Sequence, residues 1–358
     1  MVSIFLKLKC VALFALLSIN ACQAQTLPNC RPAPPLPLNA KPAVNGLALT
    51  RDGKMIVVAG GDAKIRFVDL ATGTVQRILV GHTNAVYATV FSPDEKLLAS
   101  SSRDTARIWD VSSSHELWKV EGFRCPAKAV VFSPDGQMLA AAGNDGILKL
   151  YDVKSRRELR SMVHVKSANI DISVYGLAFS RDGQKIYAAN GDGTISEWDA
   201  ASGRETRAWK AHDHTTFKVA FSPDYSLLAS FGDSVVKLWD TTTWREVRSL
   251  SMVREPQAST VPSAIAFSKD GKLIAASDIG IDQKQQTYSY VQALVWNVST
   301  GAKLFTIEAH KFDINGLVFT DDNRFLLTGS VDTTIKFWEM KTGWLSKTLT
   351  MPPNAKPN

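Results

Sequence analysis

Residues 91–110 read FSPDEKLLASSSRDTARIWD, and variants of this stretch occur seven times along the chain. Most copies begin with Phe, continue through an acidic turn and a short apolar run, and end in an aromatic residue followed by Asp, Asn or Glu. Successive copies begin 42, 41, 47, 42, 46 and 52 residues apart, at Leu49, Phe91, Phe132, Phe179, Phe221, Phe267 and Phe319. This period is typical of the blades of a propeller.

A repeat of this length cannot bury its apolar faces alone, so several repeats must pack against one another. Packing around a closed ring leaves only short, protected sheet edges. In the second repeat, alternating apolar and polar positions predict strands at 86–91, 96–101, 105–110 and 116–120. The sequence therefore predicts an all-β, seven-bladed β-propeller with four antiparallel strands in each blade.

The chain divides into a leader, a proline-rich tail, the propeller and a C-terminal tail, at residues 1–24, 25–43, 44–350 and 351–358. The last repeat carries its own outer strand near residues 346–350, so we expect the ring to close by packing of the first blade on the seventh. A strand borrowed from the N-terminus is the alternative. The segment RPAPPLPLNAKP argues against it, because proline cannot donate to a strand ladder.

The seven copies resemble the Trp-Asp (WD) repeat family of β-propellers over roughly residues 44–350. In that family the Asp of the hairpin turn joins a buried polar network with His, Ser or Thr, and Trp. The resemblance implies such networks in the second, fifth and seventh repeats, formed by His82, Ser100, Asp104 and Trp109; by His212, Ser230, Asp233 and Trp239; and by His310, Thr328, Asp332 and Trp338. The other four repeats keep the Asp without the full set, which predicts blades that are packed differently.

The leader combines Lys7 and Lys9 with the apolar run VALFALLSI, which is too short to span a bilayer as a stable helix. We therefore expect an exported bacterial protein, either periplasmic or secreted. Two processing sites remain open. Cleavage after Ala24 would release a soluble protein, whereas processing before Cys22 would give an outer-membrane lipoprotein whose lipid on Cys22 is its only membrane attachment.

Two cysteines, Cys30 and Cys125, remain whichever processing site is used. In an oxidising compartment such a pair is more often bonded than free. Cys125 is expected in the loop that enters the third blade, and the extended tail that carries Cys30 enters the first blade from the same face. A Cys30–Cys125 disulfide is one outcome, and a mobile tail with a buried free thiol is the other.

Three insertions interrupt the regular repeats: HVKSANIDISV, MVREPQASTVP and DIGIDQKQQTYSYVQ, at residues 164–174, 252–262 and 278–292. In the family's geometry all three are loops on the face where the inner strands begin, which we call the top face; the opposite face is the bottom face. Loops carry function more often than the elements that they connect, so one-sided growth favours a partner or ligand on the top face. Neutral drift is the alternative.

Aromatic and long cationic side chains are expected around the mouth of the central channel on the top face. The candidate partner-binding residues are Tyr87, Arg103, Lys128, Tyr175, Phe217, Tyr288 and Tyr290. Tyr and Arg often dominate binding energy at protein interfaces, because each offers apolar contact together with a polar group. The alternative is that Tyr87 and Phe217 only plug the channel.

Other functional classes find little support in the sequence. The formal net charge of +7 is a mild excess without a clustered basic motif, so nucleic acid is not an expected partner. No phosphate loop, dinucleotide fingerprint or nucleophile elbow occurs. His212 and His214 lack a third metal ligand nearby. We therefore expect a monomeric, non-catalytic protein-interaction scaffold without metal or cofactor; the alternative is an enzyme or small-ligand receptor that uses the channel mouth.

Overall fold

The computed structural model describes residues 36, 40–121, 123, 127–164, 173–252, 259–260, 264–282 and 287–352. These residues form 29 β-strands and no helix. The strands make seven antiparallel sheets arranged as the blades of a propeller. The prediction of an all-β, seven-bladed propeller is confirmed.

Each blade follows the chain from an inner strand at the channel to an outer strand at the rim. Blades 1 to 4 contain β1 Val44–Leu49, β2 Met55–Gly60, β3 Lys64–Asp69 and β4 Val75–Val80; β5 Val86–Phe91, β6 Leu97–Ser102, β7 Ala106–Asp110 and β8 Glu116–Val120; β9 Ala127–Phe132, β10 Met138–Gly143, β11 Ile147–Asp152 and β12 Glu158–Val163; and β13 Val174–Phe179, β14 Lys185–Asn190, β15 Thr194–Asp199 and β16 Glu205–Lys210.

The remaining blades follow the same order, with additions in the sixth. Blades 5 to 7 contain β17 Lys218–Phe221, β18 Leu227–Gly232, β19 Val235–Asp240 and β20 Glu246–Ser251; β21 Ser259–Thr260, β22 Ile265–Phe267, β23 Leu273–Asp282, β24 Thr287–Asn297 and β25 Lys303–Glu308; and β26 Ile314–Phe319, β27 Phe325–Ser330, β28 Thr334–Glu339 and β29 Leu345–Thr350.

The repeated Ser-Pro-Asp phrase forms the turn between the first two strands of a blade on the bottom face. In blade 2, Ser92 Oγ donates to Asp94 Oδ1 at 2.7 Å, and the backbone N–H of Lys96 donates to the same oxygen at 3.1 Å. The hydrogen bond from Ser92 is the main reason why the pKa of Asp94 lies below its usual value. Glu95 takes a φ of 57° in this turn, where blade 3 has Gly136 at 72°. The repeated Asp thus holds the turn together.

The ring closes by packing of blade 7 on blade 1. A Cβ on Gly316 would lie only 2.7 Å from Cγ of Leu47, so β26 can approach β1 only because glycine stands there. Lys347 Nζ also donates to the carbonyl of Leu70 at 2.8 Å. Strand β29 pairs with β28 as the blade's own outer strand. Within the described residues, the expected mode of closure is confirmed.

Blade 6 is longer than the others on the top face. Strands β23 and β24 remain paired as far as Asp282 and Thr287, and the short strand β21 pairs with β23 beside Gly280 and Ile281. The expectation that the third insertion only lengthens a loop is therefore wrong, because its residues continue the strand ladder. The second insertion supplies β21, so these two insertions join in one sheet. Most of the first, residues 165–172, lies outside the described residues.

Candidate functional site

The polar network of blade 2 forms in full. His82 Nδ1 lies 2.7 Å from Asp104 Oδ1, and His82 Nε2 lies 2.7 Å from Ser100 Oγ. Trp109 Nε1 donates to the same hydroxyl at 2.8 Å. Burial disfavours the Asp104 carboxylate, but the hydrogen bond and charge of His82 outweigh it and hold the pKa of Asp104 far below its usual range. The network links the turn, the inner sheet and the preceding loop.

Blade 7 repeats this arrangement with Thr in place of Ser. His310 Nδ1 lies 2.8 Å from Asp332 Oδ2, and His310 Nε2 lies 2.7 Å from Thr328 Oγ1. Trp338 Nε1 donates to Thr328 Oγ1 at 3.0 Å. Burial again opposes ionisation of Asp332, yet the hydrogen bonds from His310 and Thr334 lower its pKa to about 2.

The network of blade 5 departs from the expected pattern at its Asp. Trp239 Nε1 and His212 Nε2 both lie 2.9 Å from Ser230 Oγ. Asp233, however, accepts from the backbone and ring of His214 and not from His212, whose Nδ1 has no partner among the described residues. The cause is a tighter turn, because Asp233 and its neighbour Ser234 take positive φ of 48° and 58°, as a two-residue hairpin requires. The expected contact between Asp233 and His212 is therefore corrected.

Blade 4 contains a related network that the sequence pattern did not reveal. His164 Nε2 lies 3.3 Å from Asp192 Oδ2, and Trp198 Nε1 donates to Ser196 Oγ at 2.9 Å. His and Asp are 28 residues apart here and 22 apart in blades 2 and 7, because an insertion separates them. A search that allowed for the insertion would have found His164.

The histidines of two of these networks have lowered pKa values. Burial lowers the pKa of His212 to about 4, and burial also lowers the pKa of His82 despite the opposing effect of Asp104. With a pKa of about 4, the His212 ring is neutral near pH 7. Over the residues that the structure describes, no cluster of three or more His, Cys, Asp or Glu could hold a metal ion.

The channel mouth on the top face brings together four of the candidate partner-binding residues. Tyr87, Lys128, Tyr175 and Phe217, from blades 2, 3, 4 and 5, line a cavity of about 530 Å³ and are half-buried. The sequence predicts that each of them lies where its inner strand enters the channel, and the structure has them at that position. Their role in binding stays a prediction.

The four side chains form two pairs between adjacent blades. Lys128 Nζ lies 4.2 Å from the ring centroid of Tyr87, which is the geometry of a cation–π contact. The rings of Tyr175 and Phe217 lie 5.5 Å apart, centroid to centroid. Both pairs lie at the edge of the same cavity.

A second lysine in the cavity, Lys218, was missed by the sequence analysis. The equivalent position in the other six blades holds a small residue: Gly46, Ala88, Ala129, Gly176, Ala264 or Gly316. These residues face the next inner strand so closely that a Cβ on Gly176 would lie 3.1 Å from Cα of Lys218. Lys218 has a long side chain at this position, and it lines the cavity together with Ala264 and Ile265. Departure from the Gly/Ala pattern was the signal that could have identified it.

The environment of the two lysines disfavours their charged forms. Burial lowers the pKa of Lys218 to about 8, with a smaller effect from the charge of Lys128. Burial likewise lowers the pKa of Lys128, helped by the charge of Arg103. For both lysines, the other charges that act on the pKa are positive.

The remaining candidates lie elsewhere. Arg103 is exposed beside the cavity and does not line it, and its backbone N–H donates to Ala85. Tyr290 is half-buried on β24, opposite Gly280, and also does not line the cavity. Tyr288 belongs to β24, but its side chain lies outside the described residues, as do Cys22, Cys30 and Cys125. The disulfide and the lipidation therefore stay predictions.

No helix in the described part of the chain has the length and hydrophobicity needed to cross a bilayer.

Comparison with known proteins adds a family match. The family model described as "WD domain, G-beta repeat" matches residues 73–110, 116–152, 162–199, 203–240 and 301–339, just over half of the chain. Human THO complex subunit 6 is 31% identical over 84 residues, which is 23% of this chain and 25% of that protein. Denticleless protein homolog B of Xenopus laevis is 28% identical over 110 residues, and protein hir1 of Schizosaccharomyces pombe is 31% identical over 93 residues. These matches cover 29% and 26% of this chain, and 16% and 9% of the two proteins. The chain thus spans a quarter or less of each of these relatives.

Proposed function

The chain belongs to the WD40 repeat family, and from that membership we propose that it is a non-catalytic scaffold that binds a protein partner on its top face. Propellers of this family generally act as protein-interaction scaffolds. The similar human protein is named as a subunit of a complex. The proposal extends this type of role to the present chain.

The observation that carries the proposal is the half-buried cluster at the channel mouth. Tyr87, Tyr175 and Phe217 offer apolar contact area around two lysines, in a recess that a protruding partner segment can enter. Aromatic side chains in a partly desolvated recess are typical of the residues that dominate binding energy at interfaces. The extended hairpin of β23 and β24 adds a raised edge on the same face.

A small-ligand receptor is the second candidate. The cavity of about 530 Å³ lies within the range of ordinary ligand pockets, about 300–1,000 Å³. A reaction there would depend on the two lysines and the tyrosines, because the described lining residues include no His, Asp, Glu or Cys. Recognition of a partner uses the same groups without any proton transfer, so we place it first.

The scaffold is tested by crosslinking in the native cell envelope with quantitative mass spectrometry of the captured proteins. We expect the double variant Tyr87→Ala and Tyr175→Ala to lose the partner that the wild type captures, with little change in melting temperature. The control is Trp344→Ala with Leu345→Ala, which removes two residues that are 77% and 48% exposed outside the cavity. Equal capture by all three proteins would refute top-face binding.

We also propose that the protein is exported from a bacterial cell, on the basis of the leader described above. The mass of the intact protein from its host distinguishes the two processing routes. A chain that begins at Gln25 indicates cleavage and release, and acyl groups on Cys22 indicate a lipoprotein. A chain that retains residues 1–21 would refute export.

A further inference from the structure

Among the described residues that line it, the channel mouth carries two positive charges and no negative one. Lys128 and Lys218 both line the cavity, and its other described lining residues are aromatic, apolar or neutral polar. In the described part of the chain, no carboxylate forms an ion pair with either lysine; the charge that lowers the pKa of Lys128 is that of Arg103, and the charge that lowers the pKa of Lys218 is that of Lys128. The described lining of this recess therefore has a net positive charge.

The charged side chain of Lys218 destabilises the folded protein in this position unless an anion binds to it. A partly buried ammonium loses hydration, and a second cation nearby raises the cost further. Blade 5 nevertheless has lysine at a position where the six other blades have Gly or Ala. An anion in the recess would offset the desolvation and the repulsion together.

We propose that the recess binds an acidic side chain, Glu or Asp, from a segment of the protein partner, held by the ammonium groups of Lys128 and Lys218. This inference rests on the proposed scaffold function and names the chemistry of its partner. A peptide segment fits better than a free anion, because Tyr87, Tyr175 and Phe217 present apolar surface for backbone and methylene groups. A small inorganic anion has no apolar group that could pack against these rings.

The test uses fluorescence anisotropy with the full chain and a labelled hexapeptide of glutamate. Its glutamine counterpart is the neutral probe. The double variant K128M/K218M removes both ammonium groups, and we expect its affinity for the glutamate peptide to fall about tenfold or more, because two charge-assisted hydrogen bonds are lost. The control K96M/K272M removes the same charge from exposed turns on the bottom face and should change affinity by about twofold at most.

Three results would overturn the inference: equal binding of the glutamate peptide by K128M/K218M and its control, equal binding of the glutamine peptide by the wild type, or displacement of the glutamate peptide by inorganic phosphate at an equal concentration. The last result would identify a site for free anions. Failure of the scaffold itself has a different signature, since it requires that Tyr87→Ala with Tyr175→Ala leave partner capture unchanged. Thermal unfolding of each variant shows that it is folded.

Discussion

Lys218 shows how a single residue can oppose stability. In the unfolded chain its amine has an ordinary pKa near 10.5, whereas burial lowers the pKa of the folded protein's Lys218 to about 8. Between these two values the unfolded state binds more protons than the folded state, so this residue makes stability rise with pH. Below pH 8 both states are protonated, and the folded protein bears the full cost of the buried charge.

Replacing Lys218 with Met should therefore stabilise the protein. At pH 7 we expect the free energy of unfolding to increase by about 2 kcal/mol, after allowance for the partial exposure of the side chain. The gain should shrink as the pH rises from 8 and should disappear above 10.5, where the wild-type amine is neutral in both states. Urea unfolding at pH 7 and at pH 11 measures the difference.

A destabilised Lys218→Met variant at pH 7 would contradict this account, because it would mean that the ammonium group already has a favourable partner in the fold. The exposed Lys96, which is 81% accessible, provides the matched Lys→Met control, with little expected change at either pH. A variant that is more stable but binds less well would be typical of a residue kept for function.

At the scale of elements, apolar side chains of neighbouring blades pack together at the interface between them. Trp239 on β19 is 6% exposed and belongs to an apolar cluster with Tyr187, Ala189 and Ile195 of blade 4. Its indole nitrogen also donates to Ser230. The aromatic residue at the end of the third strand thus joins one blade to the one before it.

Changing Trp239 to Ala should lower the free energy of unfolding by about 3 kcal/mol or more, because it opens a cavity in a packed interface and leaves Ser230 with one partner fewer. Trp344→Ala is the matched control, since that ring is 77% exposed and its loss should cost little. Chemical denaturation of both variants measures the contrast. Similar losses for the two tryptophans would contradict the assignment of Trp239 to the blade interface.

At the scale of the whole molecule, the junction of blades 7 and 1 completes the ring. A Cβ on Gly329 of β27 would overlap Cγ1 of Val44 at the start of β1. We therefore expect Gly329→Val to push the two blades apart and to lower the midpoint of thermal unfolding by several degrees. Calorimetry should still show one transition, because each blade depends on both neighbours for burial. An unchanged midpoint would contradict closure through this contact.

The ring and its register could be predicted because the signals are local. A Ser-Pro-Asp turn such as that of Ser92 and Asp94 makes its hydrogen bonds within six residues, so it can be recognised from the sequence alone. Lys218 could not be assigned in this way, because the cavity that it lines is formed by residues of several blades that are distant in sequence. His164 was hidden by an insertion. The residues of the long hairpin were taken for a loop because they exceed the length of the other repeats, whereas β23 and β24 pair as far as Asp282 and Thr287.

The closed ring allows the chain termini to be moved to another loop. Each of the seven sheets is built from strands that follow one another in the chain, and no described strand is shared between the first and last blades. A circular permutant that joined the end of β29 to the start of β1 by a short linker and opened the loop between β8 and β9 would therefore keep every sheet intact. We therefore expect the same ring to form when the polypeptide begins at a different blade.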